Sequence, residues 1–106
     1  MADEILLDEE TVQDEPTPPT IFDKVKLALR ISHNLLDGEI TDVITSARLE
    51  LKRAGVKSEV AEGDDENVET AIKTYALSYY ASDVKEADRY TESFKYQCDC
   101  LRKSNV

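Results

Sequence analysis

The stretch Asp37-Gly-Glu-Ile-Thr-Asp-Val-Ile-Thr-Ser-Ala-Arg-Leu-Glu-Leu-Lys-Arg-Ala-Gly55 decides the fold. Ile40, Val43, Ile44, Ala47, Leu51 and Ala54 fall at i, i+3, i+4, i+7, i+11 and i+14, which is one stripe of a 3.6-residue helix. Asp42, Arg48, Glu50 and Lys52 occupy the opposite face. Asp37 is placed as the N-cap, and Glu39 lies where a negative charge suits the helix dipole. Lys52 and Arg53 suit the other end, and Gly55 can adopt the left-handed conformation that closes a helix.

The same signals recur on either side. Upstream, Thr20 and Asp23 form a capping-box pattern ahead of Ile21, Phe22, Val25, Ala28 and Leu29, which predicts a first helix to about Arg30. Residues 31 to 36 read as a connector that lends Leu35 and Leu36 to the core. Downstream, residues 56 to 65 read as a polar loop ending in Gly63-Asp64-Asp65. Asp64 or Asp65 then caps a third helix with Val68, Ala71, Ile72, Tyr75, Ala76 and Tyr79 turned inward. Ser82-Asp83 breaks it, and Asp83 with Glu86 starts a fourth helix. Its seam is Val84, Ala87, Tyr90, Phe94, Cys98 and Leu101. No strand alternation or internal repeat is present in the sequence, so the expected class is all-α, a small four-helix domain over 21–106.

The first 20 residues differ in kind. They hold seven acids, no base, and all three prolines, Pro16, Pro18 and Pro19. Of the net charge of −10, only −3 is left to residues 21 to 106, with 16 acids against 13 bases. So acidic and apolar-poor a segment buries too little to offset its backbone entropy, and it reads as an extended or disordered arm in which Ile5-Leu6-Leu7 could dock on a partner. The helical part has no basic patch for phosphate, which disfavours conventional nucleic-acid recognition. Nothing in the sequence approaches the run of about 20 apolar residues that crosses a bilayer. Acids at the N-terminus, where an export signal has bases, predict a protein that stays in the cell that makes it.

Candidate chemistry reduces to structure. His33 is the single histidine, beside Ser32 and Asn34, and reads as a surface or capping residue. Cys98 and Cys100 point about 200° apart on a helix, so they do not form a metal clip, and Cys98 fits the inward stripe. Glu62, Asp64, Asp65 and Glu66 lack the ligand order of a calcium loop and are explained by capping. Three of the five tyrosines, Tyr75, Tyr79 and Tyr90, fall on core stripes rather than on a base-stacking platform. No nucleophile–base pair or phosphate-binding glycine loop is visible, so neither an enzyme nor a cofactor is expected. A domain of this size buries only about 60% of its unfolded surface and gains from an oligomer. Leu77 and Tyr80, off the main stripe, and Tyr96, across the helix from Phe94, are the candidate intersubunit contacts.

Three further segments, read with the first, resemble a known family. Asp23-Lys-Val-Lys-Leu-Ala-Leu-Arg-Ile31 and the Asp37 to Gly55 stretch resemble the two opening helices of phage head-tail connector (adaptor, head-completion) proteins. Val68-Glu-Thr-Ala-Ile-Lys-Thr-Tyr-Ala-Leu-Ser-Tyr-Tyr80 resembles their third helix, and Asp83 to Leu101, with Arg89-Tyr90 and Ser93-Phe94, their closing one. The resemblance implies a virion protein at the head–tail interface, present in the bacterial host cytoplasm during assembly. It implies a homo-oligomeric, dodecameric ring between the portal protein and a tail or stopper protein, with DNA only as passing cargo and no membrane. Tyr90, Phe94 and Leu101 would then hold the last helix. Leu101, Arg102, Lys103 and Val106 would belong to a segment reaching the portal. The acidic arm departs from the family pattern. It motivates a competing reading, an acidic binding module or DNA-mimic inhibitor of a basic protein.

Overall fold

The computed structural model describes residues 19–104, and the expected acidic arm falls almost wholly outside them. Five helices follow one another: α1 (Ile21–Leu29), α2 (Asp37–Arg53), α3 (Ser58–Ala61), α4 (Glu66–Tyr79) and α5 (Val84–Ser104). The described residues contain no strand, and none of these helices is long and apolar enough to cross a membrane. The expected all-helical class is correct. The fifth helix is the single turn α3, inside the stretch read as a loop.

Local chemistry sets most of the boundaries. The Thr20 side chain accepts from the Asp23 amide at 3.3 Å, while the Asp23 carboxylate accepts from the Thr20 amide at 3.1 Å, completing a capping box. Asp65 caps α4 by accepting from the Asn67 amide at 2.8 Å, and Asp83 accepts from the Glu86 amide at 2.8 Å where α5 begins. At the end of α2, Gly55 has φ 103°; its amide donates to Lys52 and that of Val56 to Leu51. This is a Schellman closure, with buried Leu51 and Val56 as its apolar contact. Asp37 departs from expectation. It is the first residue of α2, whose N-cap is Leu36 with no side-chain bond, and its carboxylate instead receives Lys26 Nζ at 2.9 Å.

α4 is the axis of the molecule. α5 folds back along it, α2 crosses it, and α1 packs on both α2 and α4. Val25, Ile40, Ala47, Leu51, Val68 and Ile72 are all fully enclosed, and Phe94, Cys98 and Leu101 bring α5 into the same core. Phe94 meets Tyr75 at a centroid distance of 5.2 Å in a tilted pair. The segment read as polar contributes Val56 and Ala61 to this core, because Arg48 Nη1 donates to the Ala61 and Gly63 carbonyls at 2.7 and 2.9 Å. That half-buried guanidinium, assigned above to the solvent face of α2, draws α3 in.

Four other positions expected in the core lie outside it. Leu35 is 87% exposed, since the turn before α2 packs the half-buried Leu36 against the core and turns its neighbour out. Tyr79 and Val84 are exposed because they sit at the last residue of α4 and the first of α5. The stripe continues there, but no facing helix covers it. Ala54, past the end of α2, is exposed for the same reason.

Candidate functional site

Two of the residues singled out for partner contact lie together. Leu77 and Tyr80 are half-buried and line a cleft with Leu29, Ile31 and Tyr90, at the end of the molecule where α1 stops and α4 turns into α5. The Tyr80 hydroxyl donates to Glu39 Oε1 at 2.7 Å, and burial first, then this bond, raises its pKa. Tyr80 thus ties α4 to the start of α2 and is only partly available to a partner.

Tyr96 is on a different surface. It is 71% exposed, above a groove that it lines with Asn67, Thr70, Gln97 and Cys100. Arg102 and Lys103 are exposed on the last turns of α5. Arg102 is also engaged within the subunit: its guanidinium donates to Asp99 at 2.8 Å, and its stem lies where a Cβ on Gly55 would meet it at 2.7 Å. Leu101 needs correction. At 5% exposure it is a core residue, so any partner-reaching segment starts after it. Val106 is outside the described residues.

Periodicity did not point to a groove formed where α2, α4 and α5 meet. Between α2 and α5 lies a cleft of about 460 Å³ walled by Glu50, Arg53 and Asp99 and floored by Tyr75, Phe94 and Cys98. It adjoins a second depression of about 390 Å³, between Glu39, Asp42 and Ser46 of α2 and Tyr75 and Tyr79 of α4. Tyr75 is common to both. Its hydroxyl is pushed above its ordinary pKa by burial and then by the charge of Glu50. The signal for this groove was present as Glu39, Asp42, Ser46 and Glu50 at helical spacing, but their aromatic neighbours come from another helix.

The residues weighed for chemistry are otherwise occupied. His33 is exposed, and its Nδ1 accepts from the Leu35 amide at 3.2 Å. Glu62 pairs with Lys52, whose hydrogen bond holds its carboxyl below the usual range, and Asp65 serves as a cap. Cys98 is buried, its thiol pushed up to about 11 chiefly by desolvation, while Cys100 is exposed. Among the described residues no three His, Cys, Asp or Glu side chains gather where a metal ion would sit.

What the described residues offer, then, is helix surface with apolar and charged borders, which suits an assembly subunit. Comparison with known families agrees: the model of the phage connector protein family matches residues 21–98. The chain belongs to the phage connector protein family. The match covers α1 to α4 and most of α5, including the whole of the groove except Asp99. No curated protein and no solved structure matches the chain. Membership of the connector family makes this a structural phage protein and a virion component that contacts other virion proteins, and it favours a non-enzymatic role.

Proposed function

We propose that this connector forms a ring of identical subunits beneath the portal, extending the DNA channel and joining capsid to tail. The family match over residues 21–98 carries the reading. The charge balance supports it, because a wall that passes DNA must not hold it, and each basic contact to phosphate adds salt-sensitive affinity. Residues 21 to 106 are mildly acidic, with 16 acids and 13 bases. The last turns of α5, with Tyr96, Arg102 and Lys103 exposed, are the face we assign to the portal, together with Val106, which lies outside the described residues. The cleft of Leu77 and Tyr80 is assigned to a neighbouring subunit. The alternative of an acidic binding module draws its support from residues 1 to 20 and gains none from the family match.

Inactivating the gene in its phage tests the proposal. The expected product is filled heads and free tails that fail to join, with joining restored when the chain is supplied in trans. Normal tailed particles without the chain would overturn it.

A further inference from the structure

We infer that the ring closes by inserting the α1 knob of one subunit, Leu27, Arg30 and Leu35, into the groove of the next, lined by Glu39, Asp42, Tyr75 and Tyr79. This rests on the ring reading and names the surfaces that would make it.

The knob is built from residues the fold leaves unused. Leu35 and Leu27 are 87% and 79% exposed, the two highest values among the described large apolar side chains. They are held at one end of the subunit by Lys26, whose ammonium donates to the His33 carbonyl at 2.8 Å, to Asn34 Oδ1 at 3.3 Å and to Asp37 Oδ1 at 2.9 Å. These bonds fold the turn that carries Leu35 against the last turn of α1. Arg30 sits there with φ 61°, a left-handed position where glycine is the ordinary choice. Its guanidinium has no hydrogen-bond or ion-pair partner among the described residues. A strained, unpaired cation beside two exposed leucines is poorly explained by the stability of one subunit.

The groove is complementary in chemistry and sign. Tyr75 and Tyr79 supply an apolar wall, with Tyr79 57% exposed. Asp42, on the opposite wall, has no hydrogen-bond or ion-pair partner among the described residues, and Glu39 accepts only from the Tyr80 hydroxyl. An unpaired base on the knob thus faces unpaired acid in the groove, with apolar area beside each.

Placement favours a ring over a closed dimer. α1 is fastened to one flank of α4 through Lys24 and Glu69, 2.6 Å apart. Glu69 and Tyr75 are six residues apart, about 120° around α4 at 100° per residue, so the groove opens on another flank. With the two patches on different flanks, a copy whose groove is filled still presents its own knob to a further copy, and such a head-to-tail contact generates rings when the rotation closes.

Crosslinking in assembled particles tests the contact. In a phage lacking its own copy, the full chain with Leu27→Cys and Asp42→Cys in a Cys100→Ser background is supplied in trans, and purified particles are treated with a short bismaleimide. The expected result is a ladder of covalently joined copies on a denaturing gel, absent for either cysteine alone; buried Cys98 stays unlabelled. Particles that contain the chain but yield only monomer would overturn this interface and leave the ring reading standing. Normal particles without the chain would overturn both. Charge exchange keeps the question open if the cysteine variants assemble poorly, with circular dichroism confirming that each variant folds. Arg30→Glu or Asp42→Arg alone should lower plaque yield by about tenfold or more, and the pair should restore it. A pair no better than either single change would count against the contact.

Discussion

Glu69 is a carboxylate at the core boundary, 9% exposed, and Lys24 is its partner. Removing one member strands the other, and a stranded buried charge is more damaging than the pair was useful. Lys24→Met is therefore expected to destabilise the fold by about 1–3 kcal/mol. Adding Glu69→Leu should recover most of that loss, as read from urea unfolding midpoints. The two thiols differ at the same scale. Burial, then the charges of Asp99 and Glu50, pushes Cys98 from its usual 9.0 up to about 11, so little thiolate forms at pH 8. One thiol per chain should react with a maleimide in the native state, and Cys100→Ser should abolish that reaction. Since folding favours the protonated Cys98 thiol, its contribution to stability is complete below pH 9.0 and lost as pH rises through about 11. A melting temperature that did not fall over that interval would contradict this.

Two helices close in the same way with different residues. α2 ends on Gly55 at φ 103°, whereas α1 ends on Arg30 at φ 61°, with Arg30 and Ile31 donating back to Leu27 and Lys26. Glycine has no Cβ to strain in that conformation, and an L side chain there costs about 1–2 kcal/mol. Arg30→Gly is accordingly expected to stabilise the isolated chain by about 0.5–1 kcal/mol after the entropy of the more flexible unfolded chain is counted. The same change should weaken head–tail joining if Arg30 is a contact residue. Thermal melts and plaque counts of that one variant would therefore move in opposite directions. Equal or lower stability would show that the Arg30 side chain supports α1 itself.

At the scale of the whole molecule, the described core is drawn from α1 to α5 and the turn that carries Val56. A chain beginning at Pro19 should keep the helical circular dichroism and melt within about 4 °C of the full chain, because so acidic and apolar-poor a segment has little to bury, and 0.5 kcal/mol is about 2–4 °C in a domain of this size. A larger fall would mean that residues 1–18 pack on the helices. The helices, their caps and the core stripes were legible in the sequence because each depends on neighbours within about a turn. Thr20 with Asp23, Asp83 with Glu86, and Gly55 need only their own segment to be understood. Leu35, Tyr79 and Val84 were misplaced because a periodic pattern says which residues share a face and not how far the facing helix extends.

The amino-acid sequence by itself determined an all-helical chain, the main helix boundaries, an inward Cys98 and the kinship that membership of the phage connector family bears out. Those depend on local propensity, capping and spacing. Only the tertiary structure decided that Arg48 would hold α3, that Lys24 would find Glu69 and that Leu101 would be core. It also decided that Asp42 would face Tyr79 across a groove while Leu27 and Arg30 stood on another flank. Each of these joins residues far apart in the chain, and their meeting depends on how helices stack on α4, which no local pattern encodes.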